Sequence, residues 1–110
     1  MASATRAPSS VAVFRALSDP TRRAILDGLR TGRRPVGEIA ARFPVSRPAI
    51  SRHLRVLRRA RLVLEERQGR VRWYALNAEP LRDVDRWLGE YRQFWTARLA
   101  SLKRFVEAGA

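Results

Sequence analysis

Pro44 and Pro48 bracket three residues, Val45, Ser46 and Arg47. Proline lacks an amide hydrogen and clashes with the preceding turn, so a helix that reaches Phe43 stops at Pro44. Ser46 is an N-cap residue type, its oxygen able to accept a first-turn N–H. Pro48 then falls in a first turn, where N–H groups have no intrahelical partner anyway. The spacing predicts one helix ending near Phe43, a turn of about Pro44-Val45, and a second helix starting at Ser46. Apolar residues recur at helical intervals on both sides. Val36, Ile39, Ala40 and Phe43 form a short apolar face before the turn, and Ile50, Leu54 and Leu57 form one after it. The opposite side of the second helix holds Pro48, Arg52, Arg55 and Arg59, flanked by Arg47, Ser51 and Arg58. One face reads as core and the other is mostly guanidinium.

That concentration of charge is regional. The chain of 110 residues carries a formal net charge of +13. Residues 31–72 hold 12 Arg and 3 acidic residues, a net +9, while residues 1–30 contribute +3 and residues 73–110 only +1. A clustered excess is the electrostatic footprint of a polyanion binder. Within the second helix Arg47, Arg52, Arg55, Arg58 and Arg59 have no acidic residue between them, so the face is expected to repel itself until a polyanion binds. An anionic membrane would need a broad apolar helix face open to lipid, and the apolar faces here read as fully used. Of the 23 basic residues only Lys103 is lysine; a codon preference explains that ratio, and the clustering carries the argument.

The rest of the chain bounds the chemistry. With no Cys and one His, disulfides, thiolate metal sites, Cys catalysis and two-imidazole sites within one chain are excluded. No phosphate-cradling Gly-rich loop is present. An enzyme, a cofactor and a metal centre are therefore not expected. No apolar run approaches the ~20 residues of a membrane span, and residues 1–10 lack a signal-peptide core, so a cytoplasmic domain is expected. His53 falls beside Ile50, Leu54 and Leu57 on the inner side of its helix, where it reads as a satisfied, half-buried imidazole.

Residues 1–9 read as a disordered tail and 10–110 as one domain. Val11, Phe14 and Leu17 predict a short helix. Asp19 is an N-cap candidate with Pro20 at the first helical position; Ala24, Ile25, Leu26 and Leu29 give that helix its apolar face, and Gly32 is expected to end it. Leu62–Arg67 and Arg70–Leu76 are strand candidates joined at Gln68-Gly69. In the second strand Val71, Trp73 and Ala75 are expected to face one way, Arg70 and Arg72 the other. From about 79 to 107, Leu81, Val84, Leu88, Tyr91, Trp95, Leu99, Leu102 and Val106 step by three and four, predicting one long helix. It outreaches any core the preceding residues can offer, and its aromatics, Trp87 among them, suggest a partner helix.

Helix, tight turn, helix is the spacing by which a bracing helix presents the N-terminal half of a second helix to the DNA major groove. Ser46, Ala49 and Ser51 are small enough for close approach, and Arg47 and Arg52 can reach base edges. Arg55 and Arg58 or Arg59 can reach phosphates. The hairpin becomes a wing whose Arg67, Gln68, Arg70 and Arg72 touch flanking minor groove or backbone.

The strings FRALSDPTRRAILDGL, VGEIAARFPVSRPAISRHLRVLRRARLV and RQGRVRWYAL resemble the ArsR/SmtB family of winged-helix repressors over about Val11 to Leu76. The resemblance implies a mainly α winged helix-turn-helix of about five helices with a two-stranded wing. It also implies a homodimer that represses from an inverted repeat in double-stranded DNA. Ser46, Arg47, Pro48, Ala49, Ser51 and Arg52 match the family's base-reading segment. Val11, Phe14 and the stripe through Leu81, Val84, Leu88, Tyr91, Trp95, Leu99 and Leu102 match its dimer surfaces. Metal-sensing members keep a Cys-containing box or last-helix His and carboxylates. Here Asp83, Asp85 and Glu90 alone make a poor soft-metal set. Arg61 stands where many members have Gly. A small apolar effector between the two last helices is the one small-molecule site the pattern leaves open, and a non-specific architectural DNA-binding protein is the alternative function.

Overall fold

The computed structural model describes residues 10–109; the expected tail at 1–9 lies outside them. The elements run α1 (Ser10–Leu17), α2 (Pro20–Gly28), β1 (Arg34–Pro35), α3 (Val36–Ala41), α4 (Arg47–Arg59), β2 (Val63–Gln68), β3 (Val71–Leu76) and α5 (Leu81–Ala108).

Local chemistry sets most boundaries. Asp19 caps α2, its carboxylate accepting the Arg22 N–H at 3.0 Å, with Pro20 in the first turn. Ser46 caps α4 in the same way, its Oγ accepting the Ala49 N–H at 3.2 Å. The ends of α2 and α3 fall earlier than expected. α2 finishes at Gly28 with Leu29 as its C-cap, and Gly32 lies beyond it in a turn at φ 143. α3 finishes at Ala41, so Phe43 packs half-buried against the core from outside the helix. Both helices stop where the last N–H groups turn back to carbonyls three residues earlier, as from Arg42 to Ile39. No Gly or Pro is needed for that.

The core joins Val13 and Ala16 of α1, Ile25, Leu26 and Leu29, Val36 and Ile39, and Ile50, Leu54 and Leu57 of α4 to Leu62, Val63 and Tyr74. The inner face of α1 is thus Val13 and Ala16, and Val11 and Phe14 look outward.

The wing differs from expectation in two ways. The sheet has three strands in the order β1-β3-β2, because Arg34 and Pro35 pair with Tyr74 and Trp73. The two residues of the hairpin loop are Gly69 and Arg70, since Gln68 still pairs with Val71. Gly69 has φ 62 and Arg70 does not have a positive φ, the pattern of a type II′ turn. On β3 the buried face is that of Tyr74, opposite the face shared by Val71, Trp73 and Ala75. Tyr74 is 3% exposed, and its neighbours across the hairpin on that face follow from Val63↔Leu76, Glu65↔Tyr74 and Arg67↔Arg72. Trp73 is covered on the other face by the Arg33 guanidinium, 4.4 Å from its ring centroid.

α5 is 28 residues long and has no fully buried residue. Leu81 and Val84 pack against the chain's own core. The Trp87 and Phe14 rings pack edge to face with centroids 5.5 Å apart, and the Trp87 and Tyr91 centroids are 5.0 Å apart. Beyond Tyr91 the helix leaves the domain: Phe94, Trp95, Leu99, Leu102, Phe105 and Val106 are all exposed, Phe105 at 77%.

Candidate nucleic-acid interface

α4 presents a divided surface. Ile50, Leu54 and Leu57 are buried, while Arg47, Arg52, Arg55 and Arg59 are exposed and, among the described residues, have no carboxylate partner. Pro48 is exposed at the first turn, and Ala49 and Ser51 are half-buried beside it. Val36 and Ile39 of α3 brace the helix from the core side.

A second brace comes from α2. The Arg22 guanidinium donates from Nη1 to His53 Nδ1 at 3.2 Å, from Nε to the Ala16 carbonyl at 2.7 Å and from Nη2 to the Arg15 carbonyl at 3.0 Å. His53 is thereby the satisfied, half-buried imidazole expected, with Asp19 3.9 Å away. The Arg22 N–H on its carboxylate holds Asp19 below the usual carboxylate range, against some burial and helped by His53 and the Arg22 charge.

The end of α4 turns sharply into the sheet. Ala60 is the C-cap and Arg61 follows at φ 60. The Arg61 N–H donates to the Arg58 carbonyl at 3.0 Å and the Leu62 N–H to the Leu57 carbonyl at 3.0 Å. This is a Schellman closure with a non-glycine residue in its left-handed position. Asn77 Nδ2 donates to the Arg61 carbonyl at 2.7 Å and fixes the turn from the far side. The left-handed conformation that glycine adopts most readily is thus kept although Arg61 occupies the position.

The Arg face is not free of acid, as its sequence had suggested. Glu65 reaches across from β2, placing Oε1 3.3 Å from Arg58 Nη1. Its Oε2 accepts the Tyr74 hydroxyl at 2.5 Å. Burial, reinforced by Glu65, pushes the Tyr74 phenol up to about 12. A cavity of about 90 Å³ lies between α4 and the sheet, lined by Ser51, Leu54, Arg55, Arg58, Glu65, Arg72 and Tyr74. The structure therefore brings Ser51, Arg55, Arg58 and Arg72 together at the foot of the wing. Arg67, Gln68 and Arg70 stand apart at its exposed tip, where Gln68 Nε2 donates to Glu66 Oε1 at 3.2 Å. Sequence reasoning missed Glu65 and Tyr74, because a loop at Gln68-Gly69 sets Glu65 opposite Arg72, and only the one-residue shift to Gly69-Arg70 brings Tyr74 opposite it.

Of the expected dimer-surface residues, Leu81 and Val84 are engaged with the core and Leu88 is half-buried. Val11, Phe14, Trp87, Tyr91, Trp95, Leu99 and Leu102 are exposed. A separate cleft of about 420 Å³ lies within the single chain where α1, α2 and the start of α5 meet, floored by Leu17, Leu26, Leu76 and Leu81 and edged by Arg23, Asp27 and Arg30. No helix among the described residues is long and apolar enough to cross a membrane.

Comparison with known proteins agrees with this geometry. A family model described as a helix-turn-helix domain matches residues 17–66. The transcriptional repressor SdpR of Bacillus subtilis is 45% identical over 76 residues, covering 69% of this chain and 84% of that protein. The HTH-type transcriptional regulator Rv2034 of Mycobacterium tuberculosis is 41% identical over 99 residues, covering 86% of each. A crystal structure of an ArsR family transcriptional regulator superposes with a TM-score of 0.72 at 36% identity, covering 80% of this chain and 98% of that one. With the capped α4, its brace, the wing and the long last helix all in place, the chain belongs to the ArsR family of winged helix-turn-helix transcriptional regulators, which bind DNA sequence-specifically.

Proposed function

We propose that the protein acts as a homodimeric repressor on an inverted repeat, reading bases with the N-terminal half of α4 and clamping the flanking backbone with the wing. The observation that carries this is the exposed row Arg47, Arg52, Arg55 and Arg59, without an ion-pair partner among the described residues, on a helix whose other side is core. In this reading Ser46, Pro48, Ala49 and Ser51 let the helix approach the groove floor, and Arg47 and Arg52 address base edges. Arg55 and Arg72 face phosphates beside the cavity, where Arg58 is paired with Glu65, and Arg67, Gln68 and Arg70 meet the minor groove or backbone at the wing tip.

The dimer is formed by Val11 and Phe14 of α1 together with Trp87, Tyr91, Trp95, Leu99 and Leu102 of α5, with Leu88 at its edge. Support comes from the unbroken exposed apolar stripe that begins at the Phe14–Trp87 contact and runs out along α5. Monomers rarely leave so large an aromatic surface in water.

Selection of bound sequences from random duplex DNA at about 150 mM salt tests the reading. The expected result is an inverted repeat with half-sites about one helical turn, ~34 Å, apart. Tight binding with no enriched sequence overturns it and leaves the Arg face as a backbone clamp only.

A further inference from the structure

Glu65 is a carboxylate on a surface built to meet phosphates. It is the acidic member of the cavity otherwise lined by Arg55, Arg58, Arg72, Ser51, Leu54 and Tyr74. Placed there, its charge opposes DNA of every sequence alike. Yet both of its oxygens are engaged and its side chain is only 18% exposed. One oxygen takes the Tyr74 hydroxyl on β3 and the other faces Arg58 on the last turn of α4. A single carboxylate on β2 thus ties the reading helix to both strands of the wing.

We infer that Glu65 is a positioning residue for sequence discrimination, setting the angle between α4 and the wing and holding Arg58 away from the backbone. The inference rests on α4 and the wing being the DNA-binding surface. Base contacts demand a fixed register between the helix and the wing tip, whereas phosphate contacts tolerate a looser one. Loss of the carboxylate therefore acts in opposite directions on the two kinds of DNA. Arg58 is released to a phosphate, so random DNA binds more tightly. Arg67 and Arg70 lose their fixed distance from Arg47 and Arg52, so the preferred sequence binds less selectively.

The test compares the full-length wild type with Glu65→Gln, which keeps an acceptor for Tyr74 and removes the charge. The probes are the duplex enriched by the wild type from a random pool and a random-sequence duplex of equal length. The expected result is a rise in random-duplex affinity, with a log–log salt slope steeper by about 0.9 for one added phosphate contact. The ratio of enriched to random affinity is expected to fall by about tenfold, the size of one lost base contact. Affinities that rise together on both duplexes overturn the inference, since Glu65 is then only a repelling charge. A folded variant that weakens alike on both overturns it too.

If Glu65→Gln does not fold, Tyr74→Phe decides the matter, because it cuts one tie without changing charge. A lower ratio with an unchanged salt slope supports positioning, and an unchanged ratio overturns it. A wild type that enriches no sequence overturns the interface reading itself, whereas an intact wild-type ratio that survives both substitutions overturns the role of Glu65 alone.

Discussion

The amide of Leu62 donates to the carbonyl of Leu57 across the end of α4, and both side chains are fully buried. That closure requires the intervening Arg61 to adopt φ 60. A side chain in this region costs about 1–2 kcal/mol through its Cβ, while glycine gives back about 0.5–1 kcal/mol in unfolded-chain entropy. Arg61→Gly is expected to stabilise the protein by about 0.5–1 kcal/mol and to raise Tm by roughly 2–6 °C. Arg61→Ala keeps the Cβ and gains nothing of this kind. Thermal and urea unfolding of the pair check it; equal gains in both would show that the backbone angle is not the cause.

Tyr74 gives the fold an alkaline limit. Its phenol holds its proton to about 12 in the native state, against 10 for a free tyrosine. The raised group contributes stability that is complete below pH 10 and is lost as pH rises towards 12, because the unfolded chain ionises first. Urea midpoints of the wild type should fall across that interval more steeply than those of Tyr74→Phe. Parallel curves would mean that the buried phenol is not what senses alkali.

Arg52 and Arg70 should fail differently. Arg52→Ala is expected to relax base preference by about 1–3 kcal/mol at the positions it addresses. Arg70→Ala should weaken every sequence alike and lower the salt slope by about 0.9 for one lost phosphate contact. Repeating the selection with each variant and titrating both duplexes against salt distinguishes them. An unaltered preference for Arg52→Ala removes it from base reading.

Trp95 lies on α5 beyond the chain's own core and is half exposed. Trp95→Asp should leave the winged domain folded while weakening self-association by at least about 2 kcal/mol, as expected for a central aromatic anchor. Sedimentation shows this as a shift to monomer, with circular dichroism of the domain retained. A variant that sediments like the wild type moves the dimer seam elsewhere.

How much of this could be read from residue order depends on how local each cause is. Asp19 and Ser46 cap their helices by bonds three residues away, so the starts of α2 and α4 were legible, and so was the apolar stripe of α5. The two-residue strand Arg34–Pro35 was not, because its only sheet partners lie some forty residues on, at Trp73 and Tyr74. The inner face of β3 was not legible for a related reason. Alternation separates two faces without saying which is inner. The Trp73 ring finds cover under Arg33, while Tyr74 enters the core with Glu65 there to take its hydroxyl. The same carboxylate answers the charge of Arg58, which the order of residues within α4 alone had left bare.

Arg22 holds the last carbonyls of α1 with two of its donors and His53 on α4 with a third. α1 carries Phe14, against which Trp87 of α5 packs; α4 carries the Arg row. The guanidinium is planar and rigid, so the three bonds share one geometry. A sideways shift of α1 must either drag α4 with it or break bonds at a half-buried site. One side chain thus ties the helix that carries Phe14 to the helix that carries the Arg row, so the seating of each depends on the other.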